Sequence, residues 1–94
     1  MMTRGFLEIL EMADGRELKH FDDFTKITIR RTKLSSATVS KRLDELISAG
    51  VIEEVVTRSK TGRRIIAYRA TEKGRKVIKV ANELQEAVAA QRQR

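Results

Sequence analysis

The chain has 94 residues, with 20 Lys and Arg against 13 Asp and Glu, giving a formal net charge of +7. That length makes one small domain at most, with a modest core that association of copies would help to stabilise, and the positive balance favours a polyanion as partner. The absence of cysteine and the single histidine argue against disulfides and against a zinc site, and no apolar run approaches the ~18 residues of a spanning helix.

The opening stretch MMTRGFLEILEMADG carries acids inside its apolar part, unlike a secretory signal, so a soluble cytoplasmic protein without membrane association is expected. Phe6, Ile9, Leu10 and Ala13 recur at i, i+3, i+4 and i+7, which predicts a first helix over Arg4–Ala13, closed by Asp14-Gly15. Leu18 lies in a short extended piece able to form a small edge strand. His20 to Ile27 reads as a second short helix, with Phe21, Phe24 and Ile27 spaced by three and Asp22 and Asp23 near its start, where acids suit the helix dipole. The β-branched residues that follow, in TIRRTKL, predict a basic, irregular approach to the next element.

That next element, SSATVSKRLDELISAG from Ser35 to Gly50, organises the chain. Ser35 and Ser36 are both N-cap types. Val39, Leu43, Leu46 and Ile47 mark one apolar helical face, and Ala49-Gly50 supplies the stop. The other face is hydroxylic and basic in its leading half, with Ser36, Thr38, Ser40, Lys41 and Arg42, before Asp44 and Glu45. A helix over about 36–49 whose first turns meet base edges and phosphates in a major groove needs this pattern. Beyond Gly50 the pattern becomes extended. Val51–Arg58 and Arg63–Ala70 predict a β-hairpin around Ser59-Lys60-Thr61-Gly62, with the glycine at a positive-φ position. Alternation assigns Ile52, Val56, Ile66 and Tyr68 to the core face, on the understanding that a one-residue slip would reverse the faces. Thr71 then caps a last helix reaching about Gln91, striped by Val77, Ala81, Leu84 and Val88. At 1.5 Å per residue this helix is ~30 Å long, longer than a small domain needs to cover its own core, and the surplus predicts helix pairing between two copies.

Charge is blocked rather than interleaved. Residues 26–42 hold Lys26, Arg30, Arg31, Lys33, Lys41 and Arg42 and no acid, while residues 43–57 hold four acids and no base. Residues 58–76 hold Arg58, Lys60, Arg63 and Arg64 around the hairpin tip, and four further bases against Glu72 alone. Two basic blocks on two elements fit one polyanion. Three motifs stand in order: Ser36-Ala37-Thr38-Val39-Ser40-Lys41-Arg42-Leu43, then LISAGVI from Leu46 to Ile52, then Tyr68-Arg69-Ala70-Thr71-Glu72-Lys73-Gly74. Together, over roughly residues 5–76, they resemble the winged helix-turn-helix of small MarR-like and HxlR-like transcription regulators of bacteria and archaea. The chain departs from that pattern in lacking the cysteine often found near the start of HxlR-like proteins and in having Thr28–Leu34 longer than a tight turn.

The resemblance implies an α+β fold: a three-helix core plus a two-stranded β-hairpin wing over residues 1–76, and a long C-terminal dimerisation helix over 71–94. It implies a dimeric regulator of double-stranded DNA. The third helix would lie in the major groove and the wing tip 58–64 on the backbone or minor groove. DNA contacts are expected from Arg30, Arg31, Lys33, Ser36, Thr38, Ser40, Lys41, Arg42, Arg58, Lys60, Arg63 and Arg64, and homodimer contacts from Val77, Ala81, Leu84 and Val88. No cofactor, metal or small-molecule effector is indicated. Bland readings stand beside these: Lys41 and Arg42 as solvated helix charges, Ser36 as a cap only, the basic tip as an ordinary turn, Tyr68 as core, and His20 as a surface residue. Competing functions are an architectural or RNA-binding winged helix with little sequence preference, and a protein-interaction module. An enzyme is not expected, since no nucleophile–base pair, phosphate-cradling glycine loop or metal set stands out.

Overall fold

A computed structural model describes residues 5–92. Its elements run α1 (Phe6–Ala13), α2 (Phe21–Phe24), β1 (Thr28–Ile29), β2 (Thr32–Lys33), α3 (Ser36–Ser48), β3 (Ile52–Arg58), β4 (Arg64–Ala70) and α4 (Glu72–Arg92). The first helix therefore starts just after Arg4, which lies outside the described residues. The expected stripe holds: Ile9, Leu10 and Ala13 are buried and Phe6 packs against the core. They meet Phe24 of α2, Val39, Leu43 and Leu46 of α3, Leu34, Val51, Ile52 and Ala70 in one cluster. Burying such side chains is what stabilises a domain of this size, at about 1.5–3 kcal/mol each relative to exposure.

The second helix is a single turn, shorter than expected. Asp23 Oδ2 accepts from the His20 amide at 2.8 Å, which fixes its start. After Phe24 the hydrogen bonds shorten in span, with Lys26 N donating to Asp23 O and Ile27 N to Phe24 O, and the chain leaves the helix at the β-branched run. That run is not irregular. Thr28 faces Lys33 and Ile29 faces Thr32 in an antiparallel pair, and Leu34 N donates to Ile27 O at 3.0 Å below it. The loop is two residues, Arg30 and Arg31, at φ 52° and 70°. Positive φ at both positions is the geometry that matches the twist of paired strands, and it is ordinarily met by Asn-Gly. For residues carrying a Cβ the left-handed conformation costs roughly 1–2 kcal/mol each. The hairpin's inner side, Ile27, Ile29 and Leu34, packs on the core.

β3 and β4 pair antiparallel from Ile52–Ala70 to Arg58–Arg64. Lys19 exchanges two backbone hydrogen bonds with Tyr68 at 3.1 and 2.7 Å, so the extended piece around Leu18 does become a one-residue third strand on the far edge of β4. The core face expected for the hairpin holds only at its base. Ile52 is 1 % exposed, and Tyr68 packs its ring edge-on to Phe24 with centroids 5.8 Å apart. Burial raises the Tyr68 phenol above its ordinary pKa, helped by the carboxylates of Glu54 and Asp44. Val56 and Ile66, also expected in the core, are 55 % and 47 % exposed. They face each other across the strands on the outward side, while the opposite side is half-buried at Val55, Thr57 and Ile65 and fully buried at Ala67, so beyond the base the faces are the reverse of those expected.

The start of α4 is bolted to the end of α3. Thr71 Oγ1 donates to Gly50 O at 2.6 Å and accepts from Gly74 N at 3.1 Å, Thr71 N donates to Val51 O, and Lys73 Nζ reaches Ala49 O. Gly74 lies so close that a Cβ there would stand 2.2 Å from Val51 O. These bonds join the two motifs on either side of the wing and set the angle at which it leaves the domain. Asp14, after α1, adds an ion pair to Arg75 at 3.1 Å. Along α4, Val77 and Ile78 are half-buried and Ala81 is buried, but every residue from Asn82 to Ala90 is exposed. Among the described residues no helix is long and apolar enough to cross a membrane.

Candidate nucleic-acid interface

α3 is held at its N-terminus by Ser35, whose hydroxyl accepts from Thr38 N at 3.1 Å and donates to Thr38 Oγ1 at 2.9 Å. Ser35 is thus the cap, and Ser36 stands exposed in the first turn. Thr38 is half-buried, its hydroxyl turned back to the cap. With Val39, Leu43 and Leu46 buried, the helix can rotate no further, and its outward ridge is fixed as Ala37, Ser40, Lys41, Asp44 and Ser48, all exposed. Ala37, exposed on this ridge, was not singled out from the sequence. Its place on the i, i+3, i+4 ridge with Ser40 and Lys41 was the signal available.

Arg42 does not belong to this ridge. Position 42 falls three after Val39 and four before Leu46, within the buried stripe. The residue is 9 % exposed, its stem lies near Gly5, and its Nη1 bonds Glu45 Oε1 at 2.6 Å. Arg42 was expected among the DNA contacts; in the structure its long apolar stem follows the core and its guanidinium pairs with Glu45, as amphipathic side chains allow.

The wing tip is ordered by its own hydrogen bonds. Gly62 N donates to Ser59 O at 2.9 Å, Ser59 N to Arg63 O at 2.9 Å, and Arg63 N to Ser59 Oγ at 3.1 Å. Gly62 has φ 82°, as its place in the loop led one to expect. Arg58, Lys60, Arg63 and Arg64 are all exposed. Arg58 folds onto Gly62 O at 3.0 Å while standing directly opposite Arg64. Like charges across a strand pair repel, so this rung is favourable where an anion lies against it. Farther down, Arg69 pairs with Glu53, leaving the net positive charge of the hairpin at its outer end. Arg30, Arg31 and Lys33 are exposed on the smaller hairpin that leads into Ser35.

α4 presents a groove lined by Lys73, Lys76, Val77, Val80, Ala81 and Leu84. Its walls are apolar, and Val80 and Leu84 are more than 60 % exposed, with Val88 continuing the line at 40 %. Of the four positions expected at a dimer contact, Val77 and Ala81 thus lean on their own domain and Leu84 and Val88 do not.

Comparison with known proteins agrees with this architecture. Residues 7–94 match the family model described as HxlR-like helix-turn-helix. A PadR family transcription regulator from Clostridium difficile superposes with a TM-score of 0.79 at 15 % identity, over 94 % of this chain and 93 % of that one. A candidate transcriptional regulator from Thermoplasma acidophilum gives 0.68 at 16 % identity, over 93 % and 87 %. At such identities the likeness is one of fold. No curated protein matches the sequence.

Proposed function

The chain belongs to the HxlR-like helix-turn-helix family and is a DNA-binding transcription regulator, and from that premise we propose that it binds as a homodimer with α3 in the major groove. The observation that carries this reading is the ridge Ala37, Ser40 and Lys41, with Ser36 beside it: exposed, free of acid in its leading half, and locked outward by Val39, Leu43 and Leu46 on the opposite face. Ser36, Ser40 and Lys41 would meet base edges and phosphates, with Thr38 nearer the backbone. Arg58, Lys60, Arg63 and Arg64 of the wing would neutralise phosphates flanking the groove and release counterions. Arg30, Arg31 and Lys33 add positive charge at the approach to α3.

The pairing of two copies would run through α4. Its outer half has exposed apolar side chains at Val80, Leu84 and Val88. Two chains laid along this stripe would bury it, give a domain of this size a larger core, and present two groove helices to successive turns of DNA, ~34 Å apart. Residues 1–76 then form the DNA-binding unit and 71–94 the dimerisation element.

A salt-controlled mobility-shift assay with Lys41→Ala tests the groove assignment. Affinity should fall roughly tenfold, as for the loss of a good base contact worth about 1–3 kcal/mol, with the thermal midpoint unchanged. Unaltered affinity at matched salt would remove α3 from the groove.

A further inference from the structure

We propose that the β1–β2 hairpin is a second, smaller wing: a rigid two-arginine clip for the phosphodiester backbone at the leading end of α3. It rests on the DNA-binding reading above and adds to it a separate element with its own signature.

The inference starts from the turn. Arg30 and Arg31 occupy the two positions where φ is 52° and 70°, and a two-residue hairpin loop of this kind favours Asn-Gly. Arginine has neither the missing Cβ of glycine nor the short side chain by which asparagine eases this conformation. Stability alone would therefore choose other residues. Strained backbone that persists because its surroundings hold it is the kind of feature found at binding sites, and the surroundings here do hold it. Ile27, Ile29 and Leu34 anchor the inner side to the core, and the Leu34–Ile27 hydrogen bond closes the base.

What the arginines gain at that place is exposure of both side chains on a turn whose base is closed by the Leu34–Ile27 hydrogen bond. Among the described residues no carboxylate pairs with Arg30, Arg31 or Lys33, and residues 26–43 contain no acid. Guanidinium forks match the geometry of phosphate oxygens, and preorganisation lowers the ordering cost of each contact. The attachment points decide which anion. The small hairpin ends two residues before Ser35, the cap of α3, and the larger wing departs two residues after Gly50, beyond its other end. The groove helix is bracketed by two basic hairpins, and a duplex receiving α3 brings a backbone to both ends of that helix.

The test replaces the turn in the full chain with Arg30→Asn and Arg31→Gly. The variant should melt at a higher temperature than the parent, because its residues suit the turn. Its plot of log K against log salt should be shallower by about 1.8 per protomer, at about 0.9 for each lost phosphate contact. Preference for the parent's selected site over random duplex should be retained, since phosphate contacts carry no sequence information. A companion variant, Arg30→Lys with Arg31→Lys, should keep most of the slope. An unchanged slope in the Asn-Gly variant would overturn the clip while leaving the groove helix standing, and so would a lower melting temperature, which would mean that the arginines stabilise the turn. Absence of any salt-dependent duplex binding by the parent would overturn the DNA reading itself.

Discussion

A methyl group at position 74 has nowhere to go. In an ordinary helix Gly→Ala gains up to about 1 kcal/mol, but here the added Cβ would stand 2.2 Å from the Val51 carbonyl and 3.2 Å from Leu10 Cδ1. Gly74→Ala is expected to destabilise the domain by about 1–3 kcal/mol, the usual cost of overpacking, as measured by urea denaturation; a gain in stability would show that α4 can lift from Gly50 and Val51 freely. Arg42 makes a second contrast at this scale. Arg42→Ala should cost about 1–2 kcal/mol through lost packing of the stem and lost pairing with Glu45, with DNA affinity per folded molecule unaltered. Lys41→Ala should do the reverse. The sequence allowed the distinction: position 42 stands three after Val39, which leans it toward the edge of that stripe, and position 41 does not.

At the scale of elements, strong periodicity was legible and geometry at the free ends was not. The stripes of α1 and α3, the wing with its glycine at position 62, and the capped start of α4 all follow from the residue pattern. Val56 and Ile66 do not, because alternation tells which side chains share a face and not which face turns inward, and both strands carry apolar residues on the other face as well, at Val55, Ile65 and Ala67. Val56→Thr combined with Ile66→Thr should therefore change stability by less than about 0.5 kcal/mol, whereas Ile52→Ala at the buried base should cost about 2–5 kcal/mol; comparable losses in the two would place the outer wing back in a core. The small hairpin was hidden for a different reason. Two-residue turns are recognised by glycine and asparagine, and Arg30-Arg31 carries neither. In α4, Leu84→Glu falls on an exposed stretch, so sedimentation of that variant should give folded monomer where the parent gives dimer.

The whole molecule extends 57 Å along its longest axis and 29 and 22 Å across, with a helix that runs on past its own core. That shape suits a pair of copies joined by their α4 helices, each offering a groove helix and two basic hairpins to one duplex. Selection of bound sequences from a random duplex pool tests this most directly, because it reads sequence specificity and symmetry together. Enrichment of a two-fold symmetric motif, with half-sites about one DNA turn apart, is the result expected. Recovery of unenriched sequence from protein that still binds the pool would contradict it, leaving a basic fold that holds DNA without reading it.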